Sequence, residues 1–174
     1  MSKKKKKGRS LLSRLLSLVG TVLLLVMIAV TVPLTLPNLM GYHIYQVVSG
    51  SMEPEIPVGS LVYIQDGDPE DALDGEVIAF YGVTDASAII THRLIENRVT
   101  MGEMITKGDA NEINDINPVP YDHYIGRVVL SLPNVGVVAA LITSREGKFY
   151  AAGVIVAALL LHAAATLLDK RRGL

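Results

Sequence analysis

Apolar residues in this chain fall into two long unbroken blocks, one near each end, with short alternating runs between them. Residues 15–36 carry no charge and are rich in Leu, Val and Ile. At about 1.5 Å rise per residue, a helix of that length covers the ~30 Å hydrocarbon core of a bilayer. A cleaved secretion signal is the competing reading, because a basic start followed by an apolar block fits it too. Its apolar region is usually shorter, at about 7–15 residues, and the exit here, Thr35-Leu36-Pro37-Asn38, offers no small-x-small cleavage site. The second block, residues 149–168, is also free of formal charge, holds His162, and ends at Asp169-Lys170-Arg171-Arg172. A buried core helix is the alternative there; the length and the basic exit favour a second membrane span. His162 is expected to be neutral and turned toward the other helix or an interface, since charge within a span is costly.

Between the blocks, Val/Ile/Tyr-rich runs alternate with Gly/Pro/Asp/Asn clusters. Residues 44–48, 60–65, 76–81, 88–98, 104–107 and 125–131 read as short strands, and 66–69, 73–75 and 100–103 as turns. No ten-residue segment there shows a convincing 3.6-residue apolar stripe. The pattern predicts a mainly β domain, a small barrel or folded sheet, with residues 132–147 as a connector into the second block.

Charge divides the chain the same way. Residues 3–14 hold seven basic residues and no acid, whereas residues 37–145 hold fifteen Asp/Glu against five Lys/Arg. The formal net charge of −1 conceals this asymmetry. Basic flanks at both ends and an acidic middle place both termini in the cytoplasm and the middle outside. The resulting organisation is a basic cytoplasmic tail at 1–14, a transmembrane helix at 15–36, an extracytoplasmic β-rich domain at 37–147, a second transmembrane helix at 148–168 and a cytoplasmic tail at 169–174. The absence of cysteine excludes disulfides, thiolate catalysis and Cys-ligated zinc. The four histidines (43, 92, 123 and 162) show no paired ligand spacing and no His-Glu-x-x-His, so no metal and no cofactor are expected.

Three polar segments carry candidate chemistry. Ser49-Gly50-Ser51-Met52-Glu53-Pro54 follows the first block. A serine becomes a useful nucleophile when a base takes its proton, although short Ser/Gly/Pro segments are more commonly turns. Thr91-His92-Arg93 lies in a predicted strand; an imidazole can serve as that base, whereas a lone strand histidine is more commonly structural. Lys107-Gly108-Asp109-Ala110-Asn111-Glu112-Ile113-Asn114-Asp115 is a polar loop whose acids either form turns or orient the histidine.

The order and spacing of these segments resemble the type I signal peptidase family, over roughly residues 20–165. Residues 49–54 look like its nucleophile box, Pro57-x-Gly59-x-Leu61-Val62 like the strand after it, and Lys107-Gly108-Asp109 with Asn111 and Asp115 like its acidic box. Histidine at the base position resembles the endoplasmic-reticulum-type branch, also found in archaea and some Gram-positive bacteria; typical bacterial members carry lysine there. Ala110 departs from the usual Gly-Asp-Asn-Asn. The resemblance implies a membrane-bound serine endopeptidase that removes signal peptides. Ser51 would be the nucleophile and His92 the general base. Asp115 is the preferred orienting acid, with Asp109 the competitor. The Ser51 N–H and the Ser49 hydroxyl would form the oxyanion hole, and Val47, Val48, Gly50 and Met52 would contact substrate. Implied partners are secretory preproteins with small residues before the cut, the lipid bilayer and, as a further candidate, the protein translocation channel; no nucleic acid is expected. A non-catalytic membrane-anchored β-module, acting as an assembly or adaptor subunit, is the rival reading. A self-cleaving repressor-type protease is a weaker one, because such proteins use lysine as base and lack two spans.

Overall fold

The structure, a computed structural model, describes residues 10–173, with side chains described through residue 171. The lysine run, Arg9 and Leu174 of the predicted tails lie outside the described residues. The described elements include three α-helices, α1 (Leu11–Thr35), α2 (Val135–Thr143) and α3 (Arg145–Gly173), and seven strands. They fall into two units: the terminal helices, and Leu34–Leu141.

In the terminal unit, α1 and α3 run antiparallel and meet through small and polar side chains. A Cβ on Gly20 would lie 3.0 Å from the Ala158 carbonyl oxygen, so the backbones approach closely there. Ser17 Oγ and Thr21 Oγ1 lie 3.2 and 3.4 Å from the two nitrogens of His162, and Ser13 Oγ donates to Asp169 Oδ1. The contacting positions 13, 17 and 20, and 158, 162, 165 and 169, repeat every three or four residues. Each set therefore forms one helix face. Ala158 and Ala165 are buried on that face, while Leu18, Leu25, Ile28, Leu159 and Leu160 are exposed elsewhere. Both helices are long and apolar enough to cross a membrane, and they extend the predicted apolar blocks by a turn or so at their polar ends.

The second unit is a curled antiparallel sheet. Its strands are β1 (Tyr42–Gln46), β2 (Leu61–Asp66), β3 (Val77–Tyr81), β4 (Ile89–Arg98), β5 (Glu103–Lys107), β6 (Val119–Pro120) and β7 (Tyr124–Leu132). The spatial order is β1-β2-β7-β3-β4-β5-β6. Six of the strands match predicted runs with shifted ends; β6, only two residues long, has no pattern to betray it. The connector at 132–147 contains α2, which is too short to display a periodic stripe.

Side-chain alternation explains the placement of β3 at the centre. Ile78 and Phe80 face one core with Leu94, Met104 and Val119, and Ala79 faces another with Met52, Ile56, Val62 and Ile64. A strand covered on both faces reads as a continuous apolar run, as Val77-Ile78-Ala79-Phe80 does. The longest strand, β4, is divided between partners. Its residues 89–93 pair with β3, and from Arg93 onward it pairs with β5, with a bulge between Leu94 and Glu96. Bulges increase twist and bend a strand, and here the bend curls the sheet.

The approach of β7 to β2 is set by Gly126. A Cβ there would lie 2.1 Å from the Gln65 carbonyl oxygen, a backbone atom that cannot swing away. Gly126→Ala should therefore destabilise the domain by at least the ~1–3 kcal/mol typical of overpacking, measured as a lowered unfolding midpoint of the detergent-solubilised protein.

Candidate active site

The nucleophile candidate sits on a turn pinned into the sheet by the residue after it. Met52 is 2% exposed and packs with Val62, Ile64 and Ala79. The turn is closed by Glu53 N–H to the Gly50 carbonyl and Ile56 N–H to the Met52 carbonyl. This leaves Ser51 half-buried with its hydroxyl 3.5 Å from that of Ser49. A Cβ on Gly50 would make only ordinary contact, at 3.5 Å, with the Glu53 carboxyl carbon.

His92 is held by β4, opposite Ile78 of β3. It is 8% exposed and lies edge-on to the Phe80 ring. Its Nδ1 lies 2.6 Å from Asp115 Oδ2. A carboxylate only accepts, so Nδ1 carries the hydrogen, and in the neutral ring Nε2 at the far side is the basic nitrogen.

Gly108 joins the two halves of the site. A Cβ at 108 would lie 2.6 Å from the Ser51 carbonyl oxygen and 3.0 Å from His92 Nε2. The bare backbone of residue 108 therefore fits between the serine turn and the imidazole, and Ala110 N–H donates to the same Ser51 carbonyl at 2.9 Å. These contacts bring Ser51 and the basic nitrogen of His92 to one place although 41 positions separate them in the chain.

The two candidate acids part company. Asp115 accepts from Thr106 Oγ1 at 2.6 Å as well as from His92, and its own N–H donates to the Thr106 carbonyl at 2.8 Å. Asp109 instead pairs with Arg93, Nε to Oδ1 at 2.8 Å and Nη2 to Oδ2 at 2.6 Å. That hydrogen-bonded pairing raises the Arg93 pKa from its already high ordinary value. The fork-to-fork geometry is the stronger kind of ion pair, and it ties the 108–115 loop to β4.

Thr106 went unnoticed in the sequence. The available signal was its position: β5 alternates, with Met104 and Thr106 inward, and an inward hydroxyl at 1% exposure needs a partner.

Beside the serine lies a cavity of about 140 Å³ whose lining includes Tyr45, Val47, Val48, Ser49, Ser51 and Met52, with Ile89, Ile90 and Thr91 opposite. Of the substrate-contact candidates, Val47, Val48 and Met52 line it and Gly50 does not. Burial, followed by the nearby Tyr81 and Asp66, raises the Tyr45 pKa, keeping that phenol neutral. Among the described residues, no cluster of three or more His or acidic side chains could hold a metal ion.

A serine turn, a histidine and a half-buried carboxylate on an antiparallel sheet form the kind of arrangement used by serine endopeptidases. No protein-family model matches the chain. It is 37% identical over 86 residues to signal peptidase I W of Bacillus subtilis, covering 48% of this chain but only 44% of that protein. It is 32% identical over 124 residues to the signal peptidase complex catalytic subunit SEC11 of Komagataella phaffii, covering 63% of this chain and 70% of that protein. The same subunit from Clavispora lusitaniae is 30% identical over 115 residues, 68% of its length. The chain belongs to the type I signal peptidase family, endoplasmic-reticulum type.

Two substitutions separate the acids. Asp109→Asn breaks the Arg93 pair and should lower the unfolding midpoint, at a cost in stability of about 1–3 kcal/mol. Asp115→Asn should leave that midpoint closer to wild type while lowering kcat by orders of magnitude. Thermal unfolding and single-turnover cleavage, run on both variants, read the two effects apart.

Proposed function

We propose that this protein is a membrane-bound serine endopeptidase that removes N-terminal signal peptides from secreted preproteins. Ser51 Oγ attacks the carbonyl carbon of the residue before the cut. His92 Nε2 takes the hydroxyl proton, and the resulting imidazolium is stabilised through Nδ1–H by Asp115. The oxyanion is met by the Ser51 N–H and the Ser49 hydroxyl. As the C–N bond breaks, His92 passes its proton to the leaving amine. Water, deprotonated by the same nitrogen, then attacks the acyl-enzyme ester, and Ser51 Oγ regains a proton. The observation that carries this reading is the joint proximity of the Ser51 carbonyl and His92 Nε2 to Gly108, with Asp115 on the opposite ring nitrogen.

Several features support the substrate class. The 140 Å³ cavity beside Ser51 suits small side chains such as alanine before the cut. Residues 89–91 of β4 pair with β3 but not with β5, and β1 is an edge strand. Both segments line the cavity, so an extended substrate can lie along main-chain edges there. The length, apolarity and antiparallel contact of α1 and α3 favour two membrane spans with both termini on one side, and the basic flanks favour the cytoplasmic side for them, with the β domain outside. The bilayer, and through it the protein translocation channel, are the surroundings proposed for it.

Ser51→Ala and His92→Ala should each abolish cleavage of a synthetic preprotein in detergent. Near-normal turnover by His92→Ala would rule out the assigned base. Ser49→Ala should cost roughly 10²–10³ in kcat, the effect of one lost oxyanion donor, with substrate affinity little changed.

A further inference from the structure

A second cavity, of about 400 Å³, lies on the imidazole side of the site. Phe80 and Val119, both nearly fully buried, are among its lining residues, with Ile90, Ile113 and Ile116; His92 and Asp115 line it too. Ile90 also lines the small cavity beside Ser51, so the two are neighbours across one side chain. Ile113 and Ile116 flank Asp115 in the polar loop and are 72% and 89% exposed. An uncovered isoleucine leaves apolar surface in water that a bound apolar chain would cover. An apolar cavity edged by such residues is the usual form of a binding subsite.

We propose that this cavity binds the substrate chain on the carboxyl side of the scissile bond and selects apolar side chains in the first residues of the released protein. The inference rests on the assignment of His92 as the group that protonates the leaving amine. That amine must form next to His92 Nε2, and the chain it heads must pass on the imidazole side. The small cavity beside Ser51 holds the acyl side, so the larger one is left for the leaving side. The contrast between 140 and 400 Å³ then matches a strict requirement for small residues before the cut and room for bulk after it.

The test uses the full chain in detergent and two preprotein peptides that are identical before the cut. One carries Gly-Ser and the other Leu-Phe immediately after it. Wild type should cleave the Leu-Phe peptide with kcat/KM about tenfold higher, the scale of discrimination by an apolar pocket. Ile113→Asn with Ile116→Asn should collapse that ratio toward one; both positions are exposed, so the fold tolerates the change. The uncut Leu-Phe peptide should also bind the inert Ser51→Ala chain about tenfold more tightly than the Gly-Ser peptide, by fluorescence anisotropy. This arm reads the subsite without any cleavage, so it separates failure of the subsite from failure of the catalytic assignment. Equal binding of the two peptides to Ser51→Ala would overturn the proposal. So would a double variant that lowers both kcat/KM values by one factor, or one whose defect appears only in lipid vesicles, which would mark the isoleucines as bilayer contacts instead.

Discussion

Between the Ser51 carbonyl oxygen and the ring of His92 there is room for a strand of backbone and no side chain, and Gly108 occupies that gap. The segments on either side of Gly108 are fastened around this crossing. Upstream, β5 delivers the chain to it in register with β4, with Thr106 opposite Leu94 and Lys107 opposite Arg93. Downstream, the loop returns so that Asp115 meets both Thr106 and His92. The serine turn is fastened to the same point by the Ala110 N–H. A methyl group at 108 would push apart the serine turn and the imidazole.

The sheet gives this crossing a stiff base. Because β3 is covered on both faces, a displacement there would disturb two cores at once, and close-packed interiors resist such displacement. His92 stands opposite Ile78, which has no exposed surface. The serine turn borrows the second core through Met52. Ser51 and His92, the proposed nucleophile and base, are thus each anchored by a neighbouring buried residue. Because β5 ends at Lys107 opposite Arg93, the first residues of β4 have no β5 partner and leave main-chain edge beside the serine.

The two helices proposed as membrane spans follow different physics. In a hydrocarbon setting apolar side chains gain little by burying against one another, so association relies on close backbone approach and polar contacts. Gly20 against Ala158, and the serine, threonine, histidine and aspartate contacts along the same seam, supply both. His162, the residue least at home in an apolar block, is absorbed by that seam.

Much of this was legible in the chain itself. The two apolar blocks, the alternating β runs, the serine turn and the histidine strand follow from local pattern, because periodicity and turn chemistry depend on residues close in sequence. Local pattern did not choose between Asp109 and Asp115; only the family resemblance preferred Asp115. Both acids sit in the same polar loop with equal local credentials, and only the β4–β5 register sends one to Arg93 and the other to His92. Thr106 was hidden for the same reason: an inward hydroxyl declares a need for a partner without naming it. The cavity beneath Ile113 and Ile116 exists only once β3, β4 and the loop are assembled around it. Sequence alone determined which groups were available and which elements carry them. Tertiary structure decided which of them meet, because hydrogen bonds and cavities form between residues that are distant along the chain and close only after folding.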